Sequence, residues 1–358
     1  MSEFPNFDDV GSFPLPINID KERFNNFYWT AYKAFINKID IFKNKGIQVY
    51  FINPIVQSFQ SKLKAGVEII NYPQHMDMYT QFLKPINDYE LEPCLIDPNK
   101  VYIPEVSVIE NYAKNHYEES GDRLKLKICV TGPIDLYVRK HEFTVYIDLA
   151  LNMAKSINSF LKNSIINKKY IETCVISVDE PSFGYIDIFN VTNDDLIKIY
   201  DKTLEGINKQ KCITQFHIHT LNRAYIPLQT QNFDVITCEY ASDKSNKIPK
   251  KELEQFDKFI RVGITRTNID GIIAEYIDKG VTWEKINTFE GRMDLIDSKE
   301  RIKKNLLDAL DLYGDRLKFI GPDCGLGGWQ YPEVAYELLS RTFNVIQEIK
   351  KLFHIKNF

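Results

Sequence analysis

No stretch of this 358-residue sequence has the roughly 18 or more consecutive apolar residues a membrane-spanning helix needs. Its opening, MSEFPNFDDVGSF, lacks the basic stretch followed by an apolar stretch of a secretory signal, so a cytoplasmic protein is expected. Positive charge is not in excess: 45 Lys and Arg face 49 Asp and Glu, a formal net charge of −4. A nucleic-acid partner is not expected, because phosphate binding needs a basic surface. Cysteine is sparse, with six scattered residues, Cys94, Cys129, Cys174, Cys212, Cys238 and Cys324. Four of them fall in apolar, strand-like runs, which describes buried thiols rather than a disulfide framework. Internal repeats, low-complexity tracts and flexible linkers are also missing, so residues 1–358 read as one domain.

What is present is an alternation of short apolar runs with longer amphipathic segments. The runs are rich in β-branched residues and end in Gly, Pro, Asp or His, as buried parallel strands do when helices cover both faces. Eight candidates emerge: 9–13 (DVGSF), 68–72 (EIINY), 126–131 (LKICVT), 173–179 (TCVISVD), 213–219 (ITQFHIH), 235–240 (VITCEY), 259–264 (FIRVGI) and 317–321 (LKFIG). Apolar residues at helical spacing predict helices over 143–161, 195–207, 250–256 and 298–313, with one or two more over 329–351. Eight strands alternating with helices predict a (β/α)8 TIM barrel, although an open doubly wound sheet uses the same alternation. The span 79–123 is long for a single crossover and is read as an insertion after the second strand.

In such a barrel, side chains at the carboxyl ends of the strands converge on one mouth. Here those ends carry metal-binding chemistry. His217 and His219 lie two apart, so on one strand both point to the same side. Glu239 ends the next strand, and Cys324 follows the last. Two imidazoles, a carboxylate and a thiolate make a competent zinc set, usually tetrahedral. Taken singly, each has a plainer reading: a core histidine, an ion-paired carboxylate, a small buried cysteine. A carboxylate ending a very apolar strand is costly without a partner, and a metal would be one.

The motifs, in order, carry a resemblance. VGSFP (10–14), VTGP (130–133), VDEPS (178–182), ITCE (236–239) and GPDCGLGGW (321–329) resemble the catalytic carboxyl-terminal barrel of the cobalamin-independent methionine synthases, over nearly the whole chain. The resemblance implies a zinc ion on His217, Glu239 and Cys324 and methyl transfer to a thiol such as homocysteine. It implies that Asp179 holds the substrate amine, that Ser12 contacts its carboxylate, and that Glu180 binds substrate or orients Asp179, a salt bridge being the alternative. His219 stands where the family has cysteine. Imidazole is neutral where thiolate is anionic, so the centre is more positive; it binds a thiolate more tightly and blunts its nucleophilicity.

Two further departures bear on substrate. NYPQHMDM (71–78) lacks the family's amine-binding glutamate, with Gln74 standing near its place. Only one barrel is present, which leaves the methyl donor open between a methylated pterin and a methyl-corrinoid on a separate protein; the chain has no Asp-x-His-x-x-Gly segment for cobalamin. Competing readings are zinc-dependent alkyl transfer to another thiol such as coenzyme M, a metal-free decarboxylase of the uroporphyrinogen type, and a non-catalytic zinc-binding partner subunit. His75 is read as a surface histidine or a proton shuttle, Trp329 and Tyr240 as core or rim rather than cover for the mouth, and Cys238 as facing away from it. The oligomeric state is left open.

Overall fold

The apolar runs become eight parallel strands: Asn6–Phe7, Ile70–Asn71, Leu124–Thr131, Ile171–Asp179, Ile213–His217, Val235–Cys238, Phe259–Thr265 and Leu317–Pro322. This computed structural model describes residues 3–88, 92–207 and 212–356. From the second strand to the eighth, each pairs with its neighbour in sequence, and the eighth pairs with the first. The ring closes between the first and second strands. There Asp8 bridges Ile69, and the Phe7 carbonyl accepts from the amides of Glu68 (3.0 Å) and Ile69 (3.2 Å). The fold is therefore the expected (β/α)8 barrel. A two-residue strand, Asn167–Lys168, adds antiparallel to the fourth barrel strand.

Side chains fill the barrel in layers drawn from alternate strands, as this architecture requires. The lowest is apolar: Ile69, Val175, Val235 and Phe319 pack as a cluster of their own. Above it the odd-numbered strands contribute a charged layer. Asp8 accepts from Arg261 Nε at 2.6 Å, Lys127 Nζ at 2.9 Å and Gln215 Nε2 at 3.1 Å, and all four residues are buried. Burial alone would raise the Asp8 carboxyl, but Arg261 and Lys127 outweigh it and hold it below the ordinary carboxylate value. A second buried pair, Lys62 with Asp9 at 2.6 Å, anchors the segment after the first strand. The mouth lies above these layers.

Helices wrap the ring where the sequence supplies caps. Asp20 accepts from Arg23 N ahead of Lys21–Ile36, a Thr192–Asp195 capping box opens Asn193–Thr203, and Ser298 caps Lys299–Tyr313. The carboxyl-terminal segment is a single helix, Pro332–Lys356, with proline at its start. The span 79–123 carries helix Met78–Asn87, which begins one residue earlier, and helix Pro104–Ser120; residues 89–91 lie outside the described residues. The second of these packs against helix Asn53–Lys64, in the position of a crossover helix between the second and third strands.

The structure departs from expectation at the first strand. Pairing involves Asn6 and Phe7, not residues 9–13. The GSFP segment is loop because Pro14 and Pro16 cannot donate to a ladder, and Gly11 has φ +154°. The fifth and sixth strands stop at His217 and Cys238, which leaves His219 and Glu239 on the loops just beyond. Three helices between the seventh strand and Lys299–Tyr313 were not anticipated: Ile269–Asp278, Trp283–Ile286 and Phe289–Asp294.

Candidate metal centre

Alternation along the fifth strand aims Gln215 and His217 into the barrel, and His219 keeps the same phase past the strand end. On the sixth strand Val235, Thr237 and Glu239 share that inward phase, while Cys238 packs in the outer core at 1% exposure. Cys324 lies two residues past the eighth strand, where its amide donates to Thr267 Oγ1 at 2.9 Å. These phases bring four ligand atoms together. The donor atoms of His217, His219, Glu239 and Cys324 all lie within 4.8 Å of one another.

Three of the separations match the edges of a tetrahedron around one cation. Cys324 Sγ lies 3.6 Å from His217 Nε2 and 3.4 Å from His219 Nε2, and His219 Nε2 lies 3.4 Å from Glu239 Oε1. Zinc bond lengths of about 2.0–2.3 Å in tetrahedral geometry give edges of about 3.3–3.6 Å. The protonation states point the same way. Burial, then the neighbouring His219, pushes the His217 imidazole well below its ordinary pKa, and burial also lowers His219. Both are neutral ligands near pH 7. Burial, then Asp323, raises the Glu239 carboxyl to about 8, and burial with Glu239 beside it raises the Cys324 thiol. Two acids desolvated side by side gain most from a cation between them. Thr237 Oγ1 completes the arrangement, 2.9 Å from His217 Nδ1 and accepting from Ile218 N at 3.2 Å. In the tautomer that carries its proton on Nδ1 and donates there, Nε2 is left free to coordinate.

Around this centre the other expected residues take distinct places. Asp179 pairs in register with His217 and is buried, with Ser177 Oγ donating to it at 2.6 Å. Burial raises its carboxyl to about 6. Ser12 joins two motif loops: its carbonyl accepts from Leu326 N at 2.8 Å and its Oγ from Gly327 N at 3.1 Å. A Cβ on residue 325 would overlap Ser12 Oγ, which accounts for Gly325. Glu180 points elsewhere. Its carboxylate accepts from the amides of Ile134 (2.9 Å) and Asp135 (2.8 Å) at the amino end of helix Pro133–His141, fully buried. Gln74 borders a cavity of ≈ 510 Å³ that also involves Phe13, Lys21, Gly327 and Trp329.

His75 is neither at the surface nor free to shuttle protons. It is 3% exposed, with Nδ1 on the Phe13 carbonyl at 2.9 Å and Nε2 on Ser58 Oγ at 3.0 Å, and burial lowers its pKa to about 3. Trp329 (2% exposed) and Tyr240 (5%) are core residues. All six cysteines are free. Sequence reasoning missed Lys127 and Arg261, although a lysine and an arginine inside apolar strands signal buried partners. It also missed Asp323 and Thr237.

A parallel barrel with a His, His, Glu, Cys set at its carboxyl-terminal mouth defines the class of architecture to which the chain can be compared. No family model matches it. A curated methionine synthase of Sulfolobus acidocaldarius is 23% identical over 203 residues, 56% of this chain. The matched region spans 50% of that relative's length. A solved B12-independent methionine synthase of a Shewanella species, in complex with selenomethionine, aligns over 99% of this chain and 100% of its own at TM-score 0.60 and 16% identity. A structure from Listeria monocytogenes, described as a vitamin-B12-independent methionine synthase, covers 97% and 99% at TM-score 0.56 and 14% identity. The chain thus shares its fold with the family whose motifs its sequence resembles. No helix of the described residues is long and apolar enough to cross a membrane.

Proposed function

We propose that this protein is a zinc-dependent methyltransferase that moves a methyl group to a thiol such as homocysteine. The observation that carries the reading is the convergence of His217, His219, Glu239 and Cys324 at separations a tetrahedral cation would set. The named function of the similar proteins supports the same chemistry. Zinc held by these four residues supplies the positive charge that deprotonates a thiol, whose free pKa is about 8.5, and fixes its position.

The chain's own residues do the rest. Thr237 keeps His217 in the tautomer that coordinates through Nε2. Asp179 faces the substrate's amino group, whose positive charge favours the ionised form of a carboxyl otherwise raised to about 6 by burial. Ser12 meets the substrate carboxylate from the loop it shares with Gly327. His217 is buried while His219, Glu239 and Cys324 are half-buried, so the centre stays open to substrate at the mouth, and the barrel holds thiol and donor within reach, which contributes to the rate. The cavity beside Gln74 is bordered by Gly327 and Gly328 of the loop that follows Cys324 and offers room for part of the donor or substrate. The four ligands have formal charges of −1 on Glu239 and −1 on Cys324, so a divalent zinc brings the site to neutrality before substrate binds. A thiol bound there would be held more firmly, and would be less nucleophilic, than at a more anionic centre.

Gln74 in place of an amine-binding glutamate supports a second reading, alkyl transfer to a thiol that carries no amine, such as coenzyme M. The donor is a methylated pterin or a methyl-corrinoid carried by another protein. One assay separates these readings. The zinc-loaded protein is incubated with methyl-labelled tetrahydrofolate, methyltetrahydropterin or methylcobalamin and with homocysteine or coenzyme M, and the methylated thiol is measured by mass spectrometry. Label in methionine supports the first reading, and label only in methyl-coenzyme M supports the second. Stoichiometric zinc without transfer from any donor, alone or with corrinoid proteins, supports a non-catalytic subunit.

A further inference from the structure

The metal ligands come from the ends of the fifth, sixth and eighth strands, while the seventh strand, between the sixth and the eighth, contributes none. Glu239 and Cys324 must therefore meet across an intervening strand. The gap is bridged by Asp323, the residue before Cys324. Its Oδ1 accepts from Ala241 N at 3.0 Å, and its Oδ2 accepts from Ser242 N and Ser242 Oγ, both at 2.7 Å. Ala241 and Ser242 are the second and third residues after Glu239. The Asp323 amide in turn donates to the Thr265 carbonyl at the end of the seventh strand, at 2.8 Å.

The seventh strand is shaped to let this connection pass. Gly263 pairs in register with Gly321, and a Cβ on residue 263 would overlap both Oδ1 and the backbone of Asp323. The Asp323 side is buried at 1% exposure, so its carboxylate depends on these donors, although Ser242 itself lies at the surface. A carboxylate acceptor with three hydrogen bonds, two of them at 2.7 Å, is a firm connection, stronger than neutral equivalents.

We infer that Asp323 is a positioning residue: it straps the Glu239 loop to the Cys324 loop over Gly263 and so sets the separation of two metal ligands. This rests on the metal-centre reading above. Asp323 itself is not placed among the ligands. Its effect is carried by the backbone of residues 239–242 and 323–324, so it acts on metal geometry.

The test uses the full chain and zinc or cobalt(II) as the probe. Zinc affinity is measured by competition with a chromophoric chelator in wild type, Asp323→Asn, Gly263→Ala and Ser242→Ala, and the cobalt(II) absorption spectrum reports tetrahedral thiolate coordination. Outer-sphere partners of metal ligands typically contribute 10–100-fold in affinity. Asp323→Asn turns one acceptor into a donor facing donors, and Gly263→Ala pushes the strap aside; each is expected to lose zinc affinity in about that 10–100-fold range. Both should lose tetrahedral cobalt intensity while the far-ultraviolet circular dichroism is kept. Ser242→Ala removes only one hydroxyl donor and is expected to lose a few-fold, which retains the test if the other two variants fold poorly. Affinity within twofold of wild type and an unchanged cobalt spectrum in all folded variants would overturn the strap. A wild type that binds neither metal would overturn the metal centre first, and the strap with it.

Discussion

Two polar layers lie one above the other inside the same barrel, and they handle charge differently. In the lower layer Asp8 meets Arg261, Lys127 and Gln215, each bond made within the protein and every ionised side chain at most 1% exposed. In the upper layer Glu239 and Cys324 meet two neutral imidazoles, and both acids are pushed toward their protonated forms. The lower layer brings its own cations, and its carboxylate stays ionised despite full burial. The upper layer gathers donors that lack a matching bonded cation among the described residues. Buried charge that the protein neutralises itself is architecture; donors gathered without a bonded cation are what the proposed metal centre rests on.

The comparison breaks most severely in the lower layer. Replacing Arg261 by Met leaves Asp8 buried beside fewer partners. The expected loss is about 3–5 kcal/mol of stability, read from urea unfolding, with partial recovery in the double variant Asp8→Asn/Arg261→Met. An Arg261→Met protein as stable as wild type would make the charged layer dispensable.

In the upper layer, Cys324→Ala and His217→Ala are expected to keep the fold but lose zinc affinity by more than about 100-fold, since even outer-shell partners contribute 10–100-fold. Equilibrium dialysis against a zinc buffer measures this. Full zinc retention in both variants would remove them from the ligand set.

A smaller effect separates the layers by pH. Glu239 and Glu105 are raised to about 8, and Asp179 and Asp323 to about 6, in each case chiefly by burial. A carboxyl raised on folding contributes stability that is present below its unfolded pKa and is lost as pH rises through the folded value. Below about 6.5 the lowered imidazoles of His75, His217 and His219 act in the opposite sense, so metal-free protein is expected to weaken as pH rises from about 6.5 toward 8. Zinc should reduce the slope by favouring ionised Glu239, whereas Glu105→Gln should reduce it with or without metal. Urea titrations at several pH values check both. A metal-free protein that stabilises over this interval would contradict the raised Glu239 and Glu105 carboxyls.

The mildest change is His219→Cys, which restores the ligand of the resembled family. A more anionic centre raises the basicity of a bound thiol, and a Brønsted slope of about 0.4–0.5 gives roughly threefold faster alkylation per pKa unit. Rates with a model alkylating donor provide the measurement, and a slower variant would reverse the argument about ligand charge.

How far this was legible in the chain depends on how local each feature is. Strands three to eight are runs whose both-faced burial is written in consecutive residues, and their observed limits fall within two residues of expectation. The first strand is only Asn6–Phe7, too short for a pattern, and the neighbouring VGSFP motif drew the assignment into a loop. The short helices at 269–294 depend on Asn268, Thr282 and Thr288 caps rather than on a long apolar face. For the site, His217 and His219 were legible from their spacing of two. Bringing Cys324 to them required the closed ring and the family resemblance, because no local pattern relates residues 107 apart. The Asp323 strap was hidden for the same reason: two of its three donors are backbone amides, which have no sequence signature.

The most direct measurement is zinc-edge X-ray absorption on the purified, zinc-loaded protein. The account predicts one zinc per chain with a single sulfur at about 2.3 Å and three nitrogen or oxygen neighbours at about 2.0–2.2 Å, the sulfur shell vanishing in Cys324→Ala. Zinc surrounded only by light atoms in the wild type, or an identical spectrum after that substitution, would contradict it.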